Sequence, residues 1–283
     1  MIGLMDSRRM CPHCRAFITV HDRVCPYCHE KVGARAVDSR PNSPIGGVIP
    51  ANRFTTVLIL LINLCFYIAT VMASTKAGNG DAVMTLDGQT LIAFGAKIPL
   101  AYMIRFGEFW RLVTAGFLHG GLVHIAMNSW AMWDLGAQVD EIYGTSRMLV
   151  IYFVSSVFGF TLSSLFSASL SIGASAGICG LIGAMIALGL RHHNPIGDAL
   201  RGAYIRWAVM ILIIGFLPMF HIDNSAHIGG LIGGFGIAYI AGEPGRVRSA
   251  GETLWKAAAG MCVVITVCCF LLMYLSTRQG VAQ

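Results

Sequence analysis

The chain has 283 residues, of which 55% are hydrophobic and only 12% charged, with a mean hydropathy of +0.67 and a formal net charge of +6. An ordinary soluble chain carries about a quarter charged residues, so half that fraction excludes a soluble globular domain and points to a polytopic membrane protein. The basic residues are spread over particular loops, which excludes a nucleic-acid footprint, and no nucleic-acid partner is expected.

Residues 11 to 28 read CPHCRAFITVHDRVCPYC, two CxxC knuckles separated by ten residues. Four thiolates in paired knuckles suit tetrahedral Zn²⁺, and so short a segment has no core of its own, so the metal would supply its folding energy. Cys11, Cys14, Cys25 and Cys28 are therefore the expected ligands of a structural zinc, with His13, His21 and His29 as possible substitutes. A disulfide pair or a redox CxxC is the competing reading, disfavoured where thiols stay reduced. The other five cysteines (Cys65, Cys179, Cys262, Cys268, Cys269) lie in apolar runs and read as packing. The first fifty residues are polar and basic where an apolar h-region would stand, so no cleaved signal peptide is expected. Gly, Pro, Ser and Asn over 33–53 mark a linker.

Seven apolar runs follow, near 54–74, 112–139, 147–168, 175–190, 204–220, 226–242 and 255–275. The second holds His119, His124, Asn128 and Asp134, which must face protein or water. Before it, the loop 75–110 is too apolar to be freely solvated and too short to span, so an interfacial segment is expected. It ends in Trp110 and Arg111, suited to the headgroup level. Arg and Lys concentrate in the N-terminal region, around Arg191 to Arg206 and around Arg246 to Lys256, which marks that side as cytoplasmic. Ser175 and His227 then begin helices that enter from the outer face, at similar depth.

Ser175 stands among small residues in SIGASAGICGLIG (171–183), where helices approach closely and nothing bulky covers the hydroxyl. His227 opens AHIGGLIGG, with Gly230 and Gly234 on its helical face. Peptide hydrolysis by serine needs a base to take the hydroxyl proton and return it to the leaving amine, so a Ser175–His227 dyad is the natural reading. No orienting acid is obvious, although Asp223 and Asn224 lie just before the histidine. His124 and Asn128, at i and i+4, present two donors for an oxyanion from one helical face. The alternative for this pair is polar glue between helices.

These segments together resemble the rhomboid intramembrane serine proteases over about residues 51 to 245. The likeness rests on Trp110-Arg111, on His124-x-x-x-Asn128 with His119 before it, on Gly173-x-Ser175, and on Ala226-His227-x-x-Gly230-x-x-x-Gly234. It implies an all-α polytopic membrane protein with a six-helix core at 51–245; outside that core the residues read as a zinc ribbon at 1–32, a linker at 33–50, and a C-terminal seventh transmembrane helix and tail at 246–283. It also implies that His124 and Asn128 form an oxyanion hole with the serine N–H, that catalysis needs no cofactor, and that the partners are the lipid bilayer and single-pass membrane protein substrates. The ribbon's partner stays unassigned. The chain departs from the family pattern at Ala176, where glycine usually follows the serine and a methyl group is expected beside the oxyanion site. It departs again at Cys179, where an aromatic ring usually stacks on the histidine, and at Asp140, where Glu is usual. Two other classes compete: a rhomboid-like pseudoprotease that binds membrane clients without cleavage, and a transporter or channel.

Overall fold

The computed structural model describes residues 8–11, 13–19, 22–30, 32, 53–217, 222–242 and 249–280; His21 and the linker expected at 33–50 lie outside them. The chain divides into two units, Met1–Ala51 and Asn52–Gln283.

In the first unit, β1 (Arg8–Met10) pairs antiparallel with β2 (Phe17–Thr19), Met10 opposite Phe17. The two knuckles share one backbone pattern. The Arg15 N–H donates to the Cys11 carbonyl and the His29 N–H to the Cys25 carbonyl, both at 2.9 Å, and Arg15 and His29 both take positive φ (62° and 58°). Such left-handed residues turn the chain sharply enough to fold each CxxC back on itself.

The second unit is helical. Its long helices are α1 (Phe54–Lys76), α5 (Leu122–Tyr143), α6 (Thr145–Phe166), α7 (Ser175–Arg191), α8 (Pro195–Gly215), α9 (Asn224–Ala241) and α10 (Ser249–Gly280). Between α1 and α5 come three short helices, α2 (Gly88–Ala93), α3 (Leu100–Phe106) and α4 (Arg111–Thr114), and a 3-10 turn at Ala115–Phe117. Among the described residues three helices are by themselves long and apolar enough to cross a membrane: Phe54–Lys76, Thr145–Phe166 and Gly251–Thr277. The others are short, like α7, or carry polar residues, like α5 with His124, Asn128 and Asp134.

α7 is the centre of the bundle, packed chiefly against α9, α8, α6 and α5, and most of its residues are buried. Its small residues let backbones meet. A Cβ on Gly230 would stand 2.1 Å from the Ala176 carbonyl oxygen, one on Gly234 2.0 Å from that of Gly180, and one on Gly183 2.3 Å from that of Leu231. No side chain fits there, so α7 and α9 lie in backbone contact.

Two boundaries differ from the sequence expectation. The run at 112–139 is not one helix, because α4 and the 3-10 turn end before Leu118 and α5 starts only at Leu122. The break lies at Gly120-Gly121, where a Cβ on Gly121 would meet the Met84 carbonyl oxygen at 1.9 Å; the loop backbone occupies the space that a side chain would need. α8 starts at Pro195, well before 204, since the Asn194 side chain accepts the Gly197 N–H (2.8 Å) and Pro195 opens the first turn. Asp198, Arg201 and Arg206 hide this turn from a hydropathy reading.

The loop before α4 is built, not slack. Asp87 caps α2, accepting from the Thr90 N–H (2.8 Å), and accepts the Ser74 hydroxyl from the end of α1 (2.6 Å). These donors hold its carboxyl down to about 2. On α3, Tyr102, Ile104 and Phe106 are exposed, the apolar surface that an interfacial segment presents to lipid. Trp110 and Arg111, expected at the headgroup level, are buried within the helical unit. The Arg111 guanidinium donates to the carbonyls of Ile92 (2.6 Å) and Ala96 (3.0 Å) and to Glu108 (2.8 Å), so it ties the loop together. α10 packs on α6 and α4, with Phe270 stacked on Phe66 at 4.4 Å and Glu252 paired to the buried Arg147.

Candidate active site

Ser175 is the first residue of α7, and His227 lies in the first turn of α9. Because glycines put these two helices in backbone contact, their N-terminal ends converge, and His227 Nε2 stands 2.9 Å from Ser175 Oγ. His227 is 6% exposed, while Ser175 is half-buried. With Nε2 facing the hydroxyl as acceptor, the ring proton belongs on Nδ1, which is buried and has no hydrogen-bond partner among the described residues.

The open question of an orienting acid is answered by the geometry. Asp223 caps α9 by accepting the Ala226 N–H (3.1 Å) and also accepts the Ser163 hydroxyl of α6, while its carbonyl takes the His227 N–H (3.2 Å). Asn224 donates to the Leu212 carbonyl of α8 (3.1 Å). Both residues fix the helix that carries the imidazole, and neither is bonded to its Nδ1.

His124, on α5, faces the same place. Its Nδ1 accepts the Gly120 N–H at 3.2 Å, which leaves the proton of the neutral ring on Nε2. That Nε2 lies over Gly173. A Cβ built there would be 2.7 Å from His124 Nε2 and 3.6 Å from Ser175 Oγ, and Gly173 has φ +122°, which side chains rarely adopt. Glycine thus leaves one small space within reach of both a hydroxyl nucleophile and an N–H donor, the arrangement that acyl transfer needs. The Asn128 amide donates to the His124 carbonyl on its own helix (2.9 Å), not across to a neighbour. His119 precedes α5, is fully buried, and meets the His124 ring edge-on at 5.2 Å.

The Ala176 methyl group does not point at this space. It faces α6, where Gly159 makes room: a Cβ on Gly159 would be 2.9 Å from it. The expected crowding beside the oxyanion position is therefore absorbed by a glycine on another helix. Cys179 is buried, 5% exposed, one turn below Ser175. The aromatic ring against this part of α7 comes from α6, since the Tyr152 ring edge lies against Gly177. Sequence reasoning missed Tyr152, Gly159 and Ser163, which sit in an apolar run with no local signal that sets them apart. At Asp140 the shorter acid accepts the Thr145 hydroxyl at 2.8 Å, across the α5–α6 turn.

Away from this site, the sulfurs of Cys11, Cys14, Cys25 and Cys28 lie within 4.8 Å of one another, with Cys11–Cys28 and Cys14–Cys25 at 3.7 Å. Thiolates about 2.3 Å from a tetrahedral Zn²⁺ are roughly 3.8 Å apart, so the four residues fit the ion. His13 and His29 are not part of this cluster.

A membrane-embedded helical bundle with a serine and a histidine brought together at the ends of two glycine-packed helices defines the class. Residues 106–244 match the Rhomboid domain, and the chain belongs to the rhomboid family. It is 39% identical over 205 residues to the Rhomboid protease GluP of Bacillus subtilis, covering 72% of this chain and 38% of that protein. It is 36% identical over 184 residues to Rhomboid-like protease 2 of Toxoplasma gondii, covering 63% of this chain and 62% of that one. It is also 35% identical over 128 residues to Inactive RHOMBOID-like protein 8 of Arabidopsis thaliana, covering 44% of this chain and 36% of that one. The chain thus matches less than two thirds of the length of each of these relatives.

Proposed function

We propose that this membrane protein is a serine endopeptidase that cleaves transmembrane segments of other membrane proteins. The observation that carries the reading is the 2.9 Å contact of His227 Nε2 with Ser175 Oγ beside the donor-faced space over Gly173. His227 takes the hydroxyl proton as Oγ bonds to the substrate carbonyl carbon. The oxygen that becomes negative sits over Gly173, held by His124 Nε2–H, by Asn128 and by the Ser175 backbone N–H, which is free at the first position of α7. The imidazolium then gives its proton to the leaving amine, the C–N bond breaks, and water, deprotonated by His227, releases the acyl group from Ser175.

α7 has 17 residues, about 25 Å of helix against a hydrocarbon core of about 30 Å. With its basic end near Arg191 at the inner surface, Ser175 lies below the outer surface, so the N-terminal ribbon is cytoplasmic and the site opens to the extracytoplasmic face. Substrates are single-pass proteins cut where small or helix-breaking residues let a peptide bond leave its helix, since a helical amide in lipid is otherwise closed by its own hydrogen bonds. In the ribbon, one Zn²⁺ held by the four cysteines supplies folding energy and takes no part in the reaction.

The second reading, a client-binding protein without cleavage, draws on the relative named inactive and on the unpartnered Nδ1 of His227. Reconstituted protein is expected to cleave a model transmembrane substrate and to take a fluorophosphonate label on Ser175. Ser175→Ala and His227→Ala are each expected to abolish cleavage. Undiminished cleavage in either variant, or binding of the substrate by an unlabelled parent that leaves it intact, rejects the protease.

A further inference from the structure

Lys97 is the one lysine of the loop between α2 and α3, and it is fully buried. A buried ammonium costs several kcal/mol unless it is bonded. Lys97 Nζ donates to the carbonyls of Ser167 (2.7 Å) and Ser169 (2.9 Å), just past the C-terminus of α6. Carbonyls there have no partner within their helix, and a cation completes them. The Lys97 backbone pairs with Ser171 in both directions, N–H to carbonyl at 3.0 Å and carbonyl to N–H at 3.2 Å. The same segment is tied once more by the Gly173 N–H to the Ala115 carbonyl (2.9 Å). Residues 167–174 lead directly into Ser175, so their position decides where the nucleophile stands. Burial lowers the Lys97 ammonium from its usual range, and the Asp223 carboxylate, which caps the helix of His227, opposes that shift. It is linked to the end of α6 through Ser163, one turn before Ser167.

We propose that Lys97 is a positioning residue for the Ser175–His227 pair: its ammonium pins the segment 167–171 and thereby holds the approach to Ser175 in register with the helix that carries His227. This rests on the protease reading, because positioning has a catalytic consequence only if Ser175 is the nucleophile. Lys97 touches neither Ser175 nor His227, so it acts through the backbone. In Lys97→Met the side chain keeps its bulk, while the carbonyls of Ser167 and Ser169 lose their donor and the segment is freed to shift. Displacements of about 1 Å at a nucleophile cost up to about 100-fold in rate.

The test uses the full chain in lipid nanodiscs. Lys97→Met is expected to lower kcat about 10- to 100-fold, to leave KM within about twofold, and to slow fluorophosphonate labelling of Ser175 in proportion. Amide exchange at Ser171 and Gly173 should accelerate while the amides of α1 and α10 keep their protection, and Lys97→Arg should recover most of the rate by restoring the donors. Unchanged kcat and exchange in Lys97→Met, or a variant that fails to fold, overturns the pin, the latter by making Lys97 a global structural residue. A parent that neither cleaves nor labels removes the protease reading alone, and the exchange at Ser171 and Gly173 still decides whether Lys97 holds the segment.

Discussion

Gly173 is the residue on which the proposed chemistry turns most sharply. Its φ of +122° and the 2.7 Å from a would-be Cβ to His124 Nε2 leave no room for any other side chain. Gly173→Ala fills the space proposed for the oxyanion and strains the backbone, so it should abolish turnover while substrate is still bound. His124→Ala removes one donor and leaves the space open. A loss of about 10²–10³ in kcat with KM little changed is the expected signature. If KM moved and kcat did not, His124 would be a substrate contact and not an oxyanion donor. The fixed tautomer supports the donor role, since the Gly120 N–H on Nδ1 leaves Nε2 to donate. Of the two departures nearest Ser175, Ala176 packs on Gly159 and Cys179 is buried.

At the scale of elements, the pairing of α7 with α9 sets the distance between Ser175 and His227. Gly180 and Gly234 meet backbone to backbone, so a larger residue at 234 must push the helices apart by the width of a side chain. Gly234→Leu should lower the melting temperature, with overpacking costing about 1–3 kcal/mol, and should reduce cleavage by more than the lost stability accounts for. Gly236 lies on the same helix with open space around it, so Gly236→Ala should leave both measurements as in the parent. Equal effects at 234 and 236 would mean that helix propensity, and not the close approach, governs the result. The loop before α4 is a second such element. Arg111 and Asp87 tie its turns together from within, which is why its short helices persist without long apolar faces of their own.

For the whole molecule, the two units make separable predictions. Purified protein should carry about one equivalent of zinc, and the Cys11→Ser/Cys14→Ser variant should lose it while cleavage in detergent persists. Loss of cleavage on chelation, with the helical unit still folded, would place the ion in the reaction. The metal is expected to govern the ribbon because, among the described residues, its buried apolar cluster is Cys11, Ile18, Cys25 and Val32, with Cys28 against it. The helical unit has a continuous core along α5, α6, α7 and α8.

Much of this was legible in the sequence, because the signals were local. Apolar runs set the helices, paired CxxC spacing marked the thiolate cluster, and an ionisable His227 and a small-residue setting for Ser175 marked two points of one site. What the sequence could not specify was anything settled between segments far apart in the chain. The burial of Arg111 and Lys97 depends on carbonyls that the loop and the end of α6 offer only once folded together. The direction of the Ala176 methyl group depends on a glycine in another helix, and the tautomer of His124 on a turn that interrupts the second apolar run. Hydropathy and spacing record what each segment prefers in lipid, while a hydrogen bond or a packing gap belongs to two segments at once. It therefore exists only in the tertiary structure.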